Sequence, residues 1–318
     1  MLRRRTLVLS GLLAPLAARA MAYPTRPVSL VVPFAAGGST DVVARILADF
    51  LAPRLRQPIV IENRPGAGGS VALQAVSKAA PDGHTLVVAT TGAIVINPHT
   101  DNATSNFDPL AGLSPVAKLV DVPMILIANP RSGLKSVRDI VDRSRTAATA
   151  IAYGTAGVNS TPHFAMELLA SRTRSHLLHV PYRAAPPAVT DVLSGQLPIA
   201  CVDLTSCLDH IQAGAVLALG VTAAQRSNLL PEVPTFREQA GDGVEITAWT
   251  GLFGPPALPR EVINLVTGHV AQALADPSVR ATIERLGCTA DLLPSTQFAT
   301  MLAHESGRMR GIVQAMKK

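Results

Sequence analysis

The sequence predicts an α/β protein built from two similar lobes, and three observations predict it. Short β-branched runs alternate with amphipathic helical stretches, glycine turns stand where a strand feeds a helix, and a second block of the chain repeats the pattern of the first. At 318 residues, with 48% apolar and 16% charged side chains, the chain is long enough for a single core to split into two.

The first block opens with the apolar run at residues 28–34, followed by the turn Ala35-Ala36-Gly37-Gly38-Ser39-Thr40-Asp41. Val42, Val43, Ile46, Leu47, Phe50, Leu51 and Leu55 then recur at helical spacing. Residues 59–61 repeat the strand signal before the Gly-rich turn at 66–69 and a helix over about 71–79. The turn Pro81-Asp82-Gly83 leads into the next strand at 85–89. Strands alternating with helices imply a mostly parallel sheet covered on both faces.

The second block starts with a strand at 124–128, a helix around 137–143 and a strand at 150–153. Gly154-Thr155-Ala156-Gly157-Val158-Asn159-Ser160-Thr161 then precedes Pro162, which suits a first helical position with Thr161 as N-cap. That helix runs to about residue 170. Strands at 177–180 and 199–202, a helix at 187–193 and the apolar stretch 216–221 complete the block. Pro231, Pro234, Pro255, Pro256 and Pro259 punctuate the chain beyond it, and helices around 261–275 and 296–315 end the sequence.

Residues 1–22 read as a secretory leader: Arg3, Arg4 and Arg5, a 12-residue apolar stretch over 7–18, and a small-x-small cleavage signal ending at Ala20 or Ala22. Such a leader implies export across the cytoplasmic membrane. The apolar stretch is shorter than the roughly 20 residues that a membrane span needs. Arg4-Arg5-Thr6-Leu7-Val8 is compatible with twin-arginine and ordinary secretory export alike. Four of the 28 basic residues (Arg3, Arg4, Arg5, Arg19) fall in the leader, so the formal charge of +6 shrinks to +2 for the rest. With seven Phe, three Tyr, one Trp and no later basic run, the chain offers nucleic acid neither a stacking platform nor a phosphate-tracking stripe. Three cysteines, an odd number, leave at least one unpaired in a monomer. Cys201 and Cys207 are spaced to bridge a strand to the following turn, and free buried thiols are the alternative. No CxxC or zinc-spaced His/Cys set occurs, and no metal or cofactor is expected.

The chemistry lies in the glycine turns. A strand that ends in such a turn and enters a helix leaves free N–H groups at the helix N-terminus, where the dipole also favours negative charge. Residues 36–41 and 154–160 are two such cradles, one per lobe, and ligands in open α/β sheets bind beyond the carboxyl ends of strands. Neither carries a P-loop Lys-Ser/Thr or a full GxGxxG, and Gly66-Ala67-Gly68-Gly69-Ser70 lacks the third spaced glycine of a dinucleotide loop. Asp41 stands where a first-turn acid caps the helix. Ser39 or Ser160 with His163 and Asp41 or Asp203 supplies the residue types of a catalytic triad, but no GxSxG elbow surrounds either serine. The chain is therefore expected to bind, not to catalyse.

Several segments together resemble the Bug family, the periplasmic receptors of tripartite tricarboxylate transporters. They are Tyr23-Pro24-Thr25-Arg26-Pro27, Val32-Pro33-Phe34 with the turn through Asp41, Glu62-Asn63-Arg64-Pro65-Gly66-Ala67-Gly68-Gly69, and Pro81-Asp82-Gly83-His84-Thr85-Leu86. Tyr153-Gly154-Thr155-Ala156-Gly157 with His163, Pro181-Tyr182-Arg183, Pro187-Ala188 with Asp191, Leu230-Pro231-Glu232-Val233-Pro234-Thr235-Phe236 with Glu238, and Trp249-Thr250-Gly251-Leu252-Phe253 with Pro255 continue the series.

The resemblance implies a type II periplasmic-binding-protein fold, two α/β lobes joined by two crossover strands, with 23–122 and 230–318 forming one lobe and 123–229 the other. It implies a monomer that holds a small carboxylate between the lobes, and a partner in the membrane subunits of the transporter or in a sensor ectodomain. By position it places Phe34, Ala36, Gly37, Gly38, Ser39 and Asp41 in one cradle, Thr91 as a hydroxyl donor, Gly157, Asn159, Ser160 and His163 in the other cradle, and Asp203 at a strand end. The family usually carries Gly where Asn159, Ala184 and Ser194 stand, and often Phe at Cys201 and Asp at Pro198. Asn159 thus either adds a ligand contact or narrows the site.

Overall fold

The computed structural model describes residues 23–100, 107–146 and 148–316; the leader and its cleavage signal lie outside them. The buried run VSLVV forms β1 (Val28–Val32) and leads through the glycine turn into α1 (Ser39–Leu55). The i, i+4 row Val43, Leu47, Leu51 and Leu55 faces the core. The helix stops where Arg56 turns left-handed (φ 53°) and returns its N–H to the Ala52 carbonyl. Next come β2 (Ile59–Asn63), α2 (Ser70–Ser77), β3 (Thr85–Thr90), α3 (Pro109–Gly112) and β4 (Ser114–Val122). β5 (Met124–Ala128), α4 (Val137–Thr146), β6 (Ile151–Thr155), α5 (Thr161–Thr173), β7 (Leu177–Pro181), α6 (Ala185–Ser194) and β8 (Ile199–Asp203) succeed them. The remainder is α7 (Leu208–Gln212), β9 (Leu217–Val221), α8 (Phe236–Ala240), β10 (Ala248–Gly254), α9 (Arg260–Ala275), α10 (Pro277–Arg285), β11 (Thr289–Pro294) and α11 (Ser295–Met316).

The strands form two sheets, ordered β11-β4-β10-β3-β1-β2 and β7-β6-β8-β5-β9. Both are mixed, which corrects the expectation of mostly parallel sheets. Parallel pairing is confined to β2-β1-β3 and β7-β6-β8, while β10, β4 and β11 in one sheet and β5 with its neighbours in the other pair antiparallel. The cause is the connection between lobes. β4 of the first sheet runs through Pro123 straight into β5 of the second with no crossover helix to turn the chain.

The chain returns by β10, and the two crossings meet at Thr222. Its N–H donates to the Met124 carbonyl (3.0 Å), its carbonyl accepts from Ile246 N–H (2.8 Å), and its hydroxyl donates to the Ile246 carbonyl (2.8 Å). The expected return to the first lobe at residue 230 comes too early. Leu230 and Val233 pack into the second lobe's core, Val221 bridges to Thr235, and Gln239 Nε2 donates to the Leu219 carbonyl. The prolines at 231 and 234 introduce α8, whose Thr235 and Glu238 form a capping box, rather than a linker.

Candidate ligand-binding cleft

In the first cradle Gly37 adopts φ +93°, a backbone that side-chain-bearing residues rarely take. Its N–H donates to Asp41 Oδ2 (3.1 Å), and Asp41 also accepts from Asn63 Nδ2 (2.9 Å) and from both arms of Arg45 (2.9 and 3.0 Å). Burial pushes the Asp41 carboxyl up, but the hydrogen bonds from Arg45, Asn63 and Gly37 outweigh it and hold it below the usual carboxylate range. Asp41 is thus a brace that shapes the turn. Asn63 Nδ2 adds a second brace to the Phe34 carbonyl (3.0 Å).

The second cradle hangs on two stacked imidazoles. The rings of His163 and His179 lie 4.0 Å apart at 26°. His163 Nδ1 accepts the Asn159 N–H (3.1 Å), and His179 Nε2 pairs with Thr155 Oγ1 (2.7 Å), which in turn accepts the Gly157 N–H (3.3 Å). Beneath them Tyr153 donates to Glu167 (2.6 Å), and His163 Nε2 faces the same carboxylate at 3.8 Å. Burial depresses both imidazoles, with the His163 charge adding to the effect on His179, which falls to about 4. Ser160, not Thr161, is the N-cap of α5, with Thr161 and Pro162 as the first helical residues.

Thr161 is drawn into the lobe contact instead: its hydroxyl accepts the Gly92 N–H of the first lobe (2.9 Å). A Cβ on Gly92 would stand 2.6 Å from Thr161 N, so this approach requires glycine. Three further contacts cross the cleft. Asn159 Nδ2 donates to Asn97 Oδ1 (2.9 Å). A Cβ on Gly68 would meet the Val158 carbonyl at 2.8 Å. The Ser39 N–H of the first lobe faces the Asp203 carboxylate and favours its ionised form, and Asp203 accepts from Ser206 N–H and Oγ (3.0 and 2.8 Å). Burial pushes the Asp203 carboxyl up despite these donors.

Two spaces lie between the lobes and share Phe34 and Ala156 as lining. The inner cavity, of about 50 Å³, takes Phe34, Gly38, Ser39, Thr40 and Thr90 from one side, and Ala156, Ser160, Thr161, Pro162, Ala184, Ala185 and Asp203 from the other; Val122, Met124, Ala248, Trp249 and Thr250 of the crossings close its floor. The outer space, about 560 Å³, opens past Phe34 and Ala156 between the 65–69 loop and the residues 157, 158 and 181–183.

Of the sequence-predicted residues, Phe34, Gly38, Ser39, Ser160 and Asp203 line the inner cavity, and Phe34 and Gly157 the outer one. Ala36, Gly37, Asp41, Thr91, Asn159 and His163 line neither. Gly37, Asp41 and His163 are structural supports of the turns, and Asn159 bridges the lobes. Thr91 Oγ1 is occupied by the Trp249 N–H (2.8 Å). Thr40 and Thr161, hydroxyl donors that the sequence offers at the two cradles, line the inner cavity as well, whereas sequence reasoning missed Thr90, Ala184, Ala185 and the floor residues. Thr250 sits within the Trp249–Phe253 motif, and the Pro181–Ala185 stretch carries the same strand-to-helix signal as the two cradles.

The serines, His163 and the two aspartates do not form a catalytic relay. Ser160 Oγ donates to the Gly157 carbonyl (2.7 Å), His163 Nδ1 faces the Asn159 amide, and both aspartates are committed elsewhere. Cys201, Cys207 and Cys288 are free and buried. Among the described residues no helix is long and apolar enough to cross a membrane.

The model of the family described as "Tripartite tricarboxylate transporter family receptor" matches residues 43–317. Protein BugT of Bordetella pertussis (strain Tohama I) is 32% identical over 305 residues, spanning 96% of this chain and 93% of its own. The structure of the periplasmic binding protein BugD superposes with a TM-score of 0.86 at 29% identity, over 93% of this chain and 99% of its own. MatC (Rpa3494) from Rhodopseudomonas palustris, solved with bound malate, superposes with a TM-score of 0.84 at 31% identity, over 92% of this chain and all of its own.

Proposed function

The chain belongs to the tripartite tricarboxylate transporter receptor family, and from that premise we propose that it is a periplasmic receptor that closes its lobes on a small carboxylate and delivers it to the transporter's membrane subunits. One observation carries the reading: the N-termini of α1 and α5, contributed by opposite lobes, converge on a single cavity lined with hydroxyls. Helix N-termini offer unpaired N–H groups and the positive end of the dipole, so an acid anion finds charge-assisted donors on both sides without a buried arginine. The malate held by MatC supports the same class of ligand.

Asp203 fits this role. Burial raises its carboxyl, so it takes up a proton more readily than an exposed aspartate, and once protonated it would donate a hydrogen bond to an incoming carboxylate. Contacts that exist only when both lobes grip the anion favour the closed state, and that closed state is what the transporter would recognise.

The test is Gly38→Val. Gly38 has an ordinary backbone (φ −83°, ψ 166°), and a Cβ there meets nothing within 4 Å, so the new side chain projects into open cavity at no cost to the fold. Calorimetric titration with malate, succinate, adipate and glutamate should show an acid that binds the wild type and binds Gly38→Val about 10- to 100-fold more weakly. Equal affinity in the variant would reject the siting.

A further inference from the structure

The floor of the inner cavity carries a hydroxyl that the fold leaves unused. Thr250 lies on β10, paired with Thr90 of β3 and Val120 of β4, and the ladder to β4 slips register between Thr250 and Gly251. Such a bulge re-aims a side chain. Thr250 is 1% exposed, it lines the cavity, and its Oγ1 has no hydrogen-bond partner among the described residues. Its neighbours are satisfied: Trp249 donates its backbone N–H to Thr91 Oγ1 and its indole N–H to Glu305 (2.7 Å).

A buried hydroxyl without a partner is unfavourable, and valine has the same shape without the penalty. A threonine here therefore weakens the empty protein unless something that visits the cavity meets it. Resting on the reading of the cleft as a carboxylate site, we propose that Thr250 is a specificity-determining contact: its hydroxyl hydrogen-bonds an oxygen of the captured acid at the cavity floor, directly or through one trapped water. A cavity of about 50 Å³ admits a small polar end group or a few waters there. The acid that fits best places a carboxyl or hydroxyl oxygen, not a methyl or methylene, at its inner end.

Thr250→Val and Thr250→Ser test this by two readouts, the thermal midpoint of the ligand-free protein and calorimetric affinity for malate, succinate, adipate and glutamate. Thr250→Val is expected to melt no lower than the wild type, because it removes an unsatisfied group, and to bind the preferred acid at least about tenfold more weakly. Thr250→Ser, which keeps the hydroxyl, should stay within about threefold of the wild type. A Thr250→Val protein that melts several degrees lower would assign the hydroxyl a structural partner and overturn the proposal, as would affinity equal to the wild type. If the wild type takes none of the four acids, the carboxylate reading falls and the proposal with it; if the wild type binds and Thr250→Val binds equally, Thr250 alone is removed.

Discussion

Gly37 and Gly38 are adjacent, and their reasons for being glycine differ. Gly37 needs its φ of +93° to turn its amide onto Asp41, whereas Gly38 has an ordinary backbone and lines the cavity, where a Cβ would meet nothing within 4 Å. The sequence marks both positions but does not separate these roles, since each depends on a dihedral angle. The same holds at His163 and Thr91. Their residue types suit ligand donors, yet Asn159 and Trp249 amides already occupy the atoms that would serve. The histidine pair gives a pH prediction with a definite sign. His163 and His179 sit below the ordinary value of 6.5, His179 at about 4, so the unfolded chain binds protons that the folded protein refuses. Stability is therefore full above about pH 6.5 and falls as the pH is lowered toward 4. The thermal midpoint of ligand-free protein should drop across that window, and less steeply in His179→Gln, which cannot take up the proton. The same slope in the variant and the wild type would assign the loss to other groups.

At the scale of elements, α5 belongs to the second lobe, where Met166 and Leu169 share a core cluster with Tyr153, Ile199 and Cys201, and it also packs on the first. Phe164, Ala165 and Leu168 share a core cluster with Ile94, Val95 and Trp249. The sequence makes the helix legible through its apolar spacing and Pro162, but not the surface it packs on, because periodicity names a face and not the neighbour. β4 and β10 escaped for another reason. β4 carries Lys118 and Asp121 in its interior, with Lys118 buried against Asp121 (2.7 Å) and Asp291 (2.5 Å), and β10 contains a glycine and a bulge, so neither reads as a β-branched run. The Gly92–Thr161 contact tests how tightly α5 ties the lobes. Gly92→Ala places a methyl 2.6 Å from Thr161 N, and relieving that overlap, at about 1–3 kcal/mol, is expected to part the lobes. Small-angle scattering of the ligand-free variant should give a larger radius of gyration than the wild type, with weaker acid binding. Superimposable scattering and unchanged affinity would mean that the contact absorbs the methyl locally.

At the scale of the whole molecule, two repeated blocks of strand, glycine turn and helix made the two-lobed architecture and the position of the cleft legible, and the ordered motifs made the family legible. Strand polarity and the return point near residue 246 were not, since both depend on where the crossings run. Those crossings meet at Thr222 and form the floor against which the cradles converge. The whole arrangement acts as a receptor only if one ligand touches both lobes, since a molecule held by a single lobe binds open and closed forms alike and shifts nothing. A crystal structure of the acid-loaded protein tests that most directly. The expected result is a carboxylate within hydrogen-bond distance of groups on residues 38–40 of one lobe and 160–161 of the other, with a ligand oxygen or bridging water on Thr250. An acid held by one lobe alone, or seated only in the outer space beside the 65–69 loop, would contradict it.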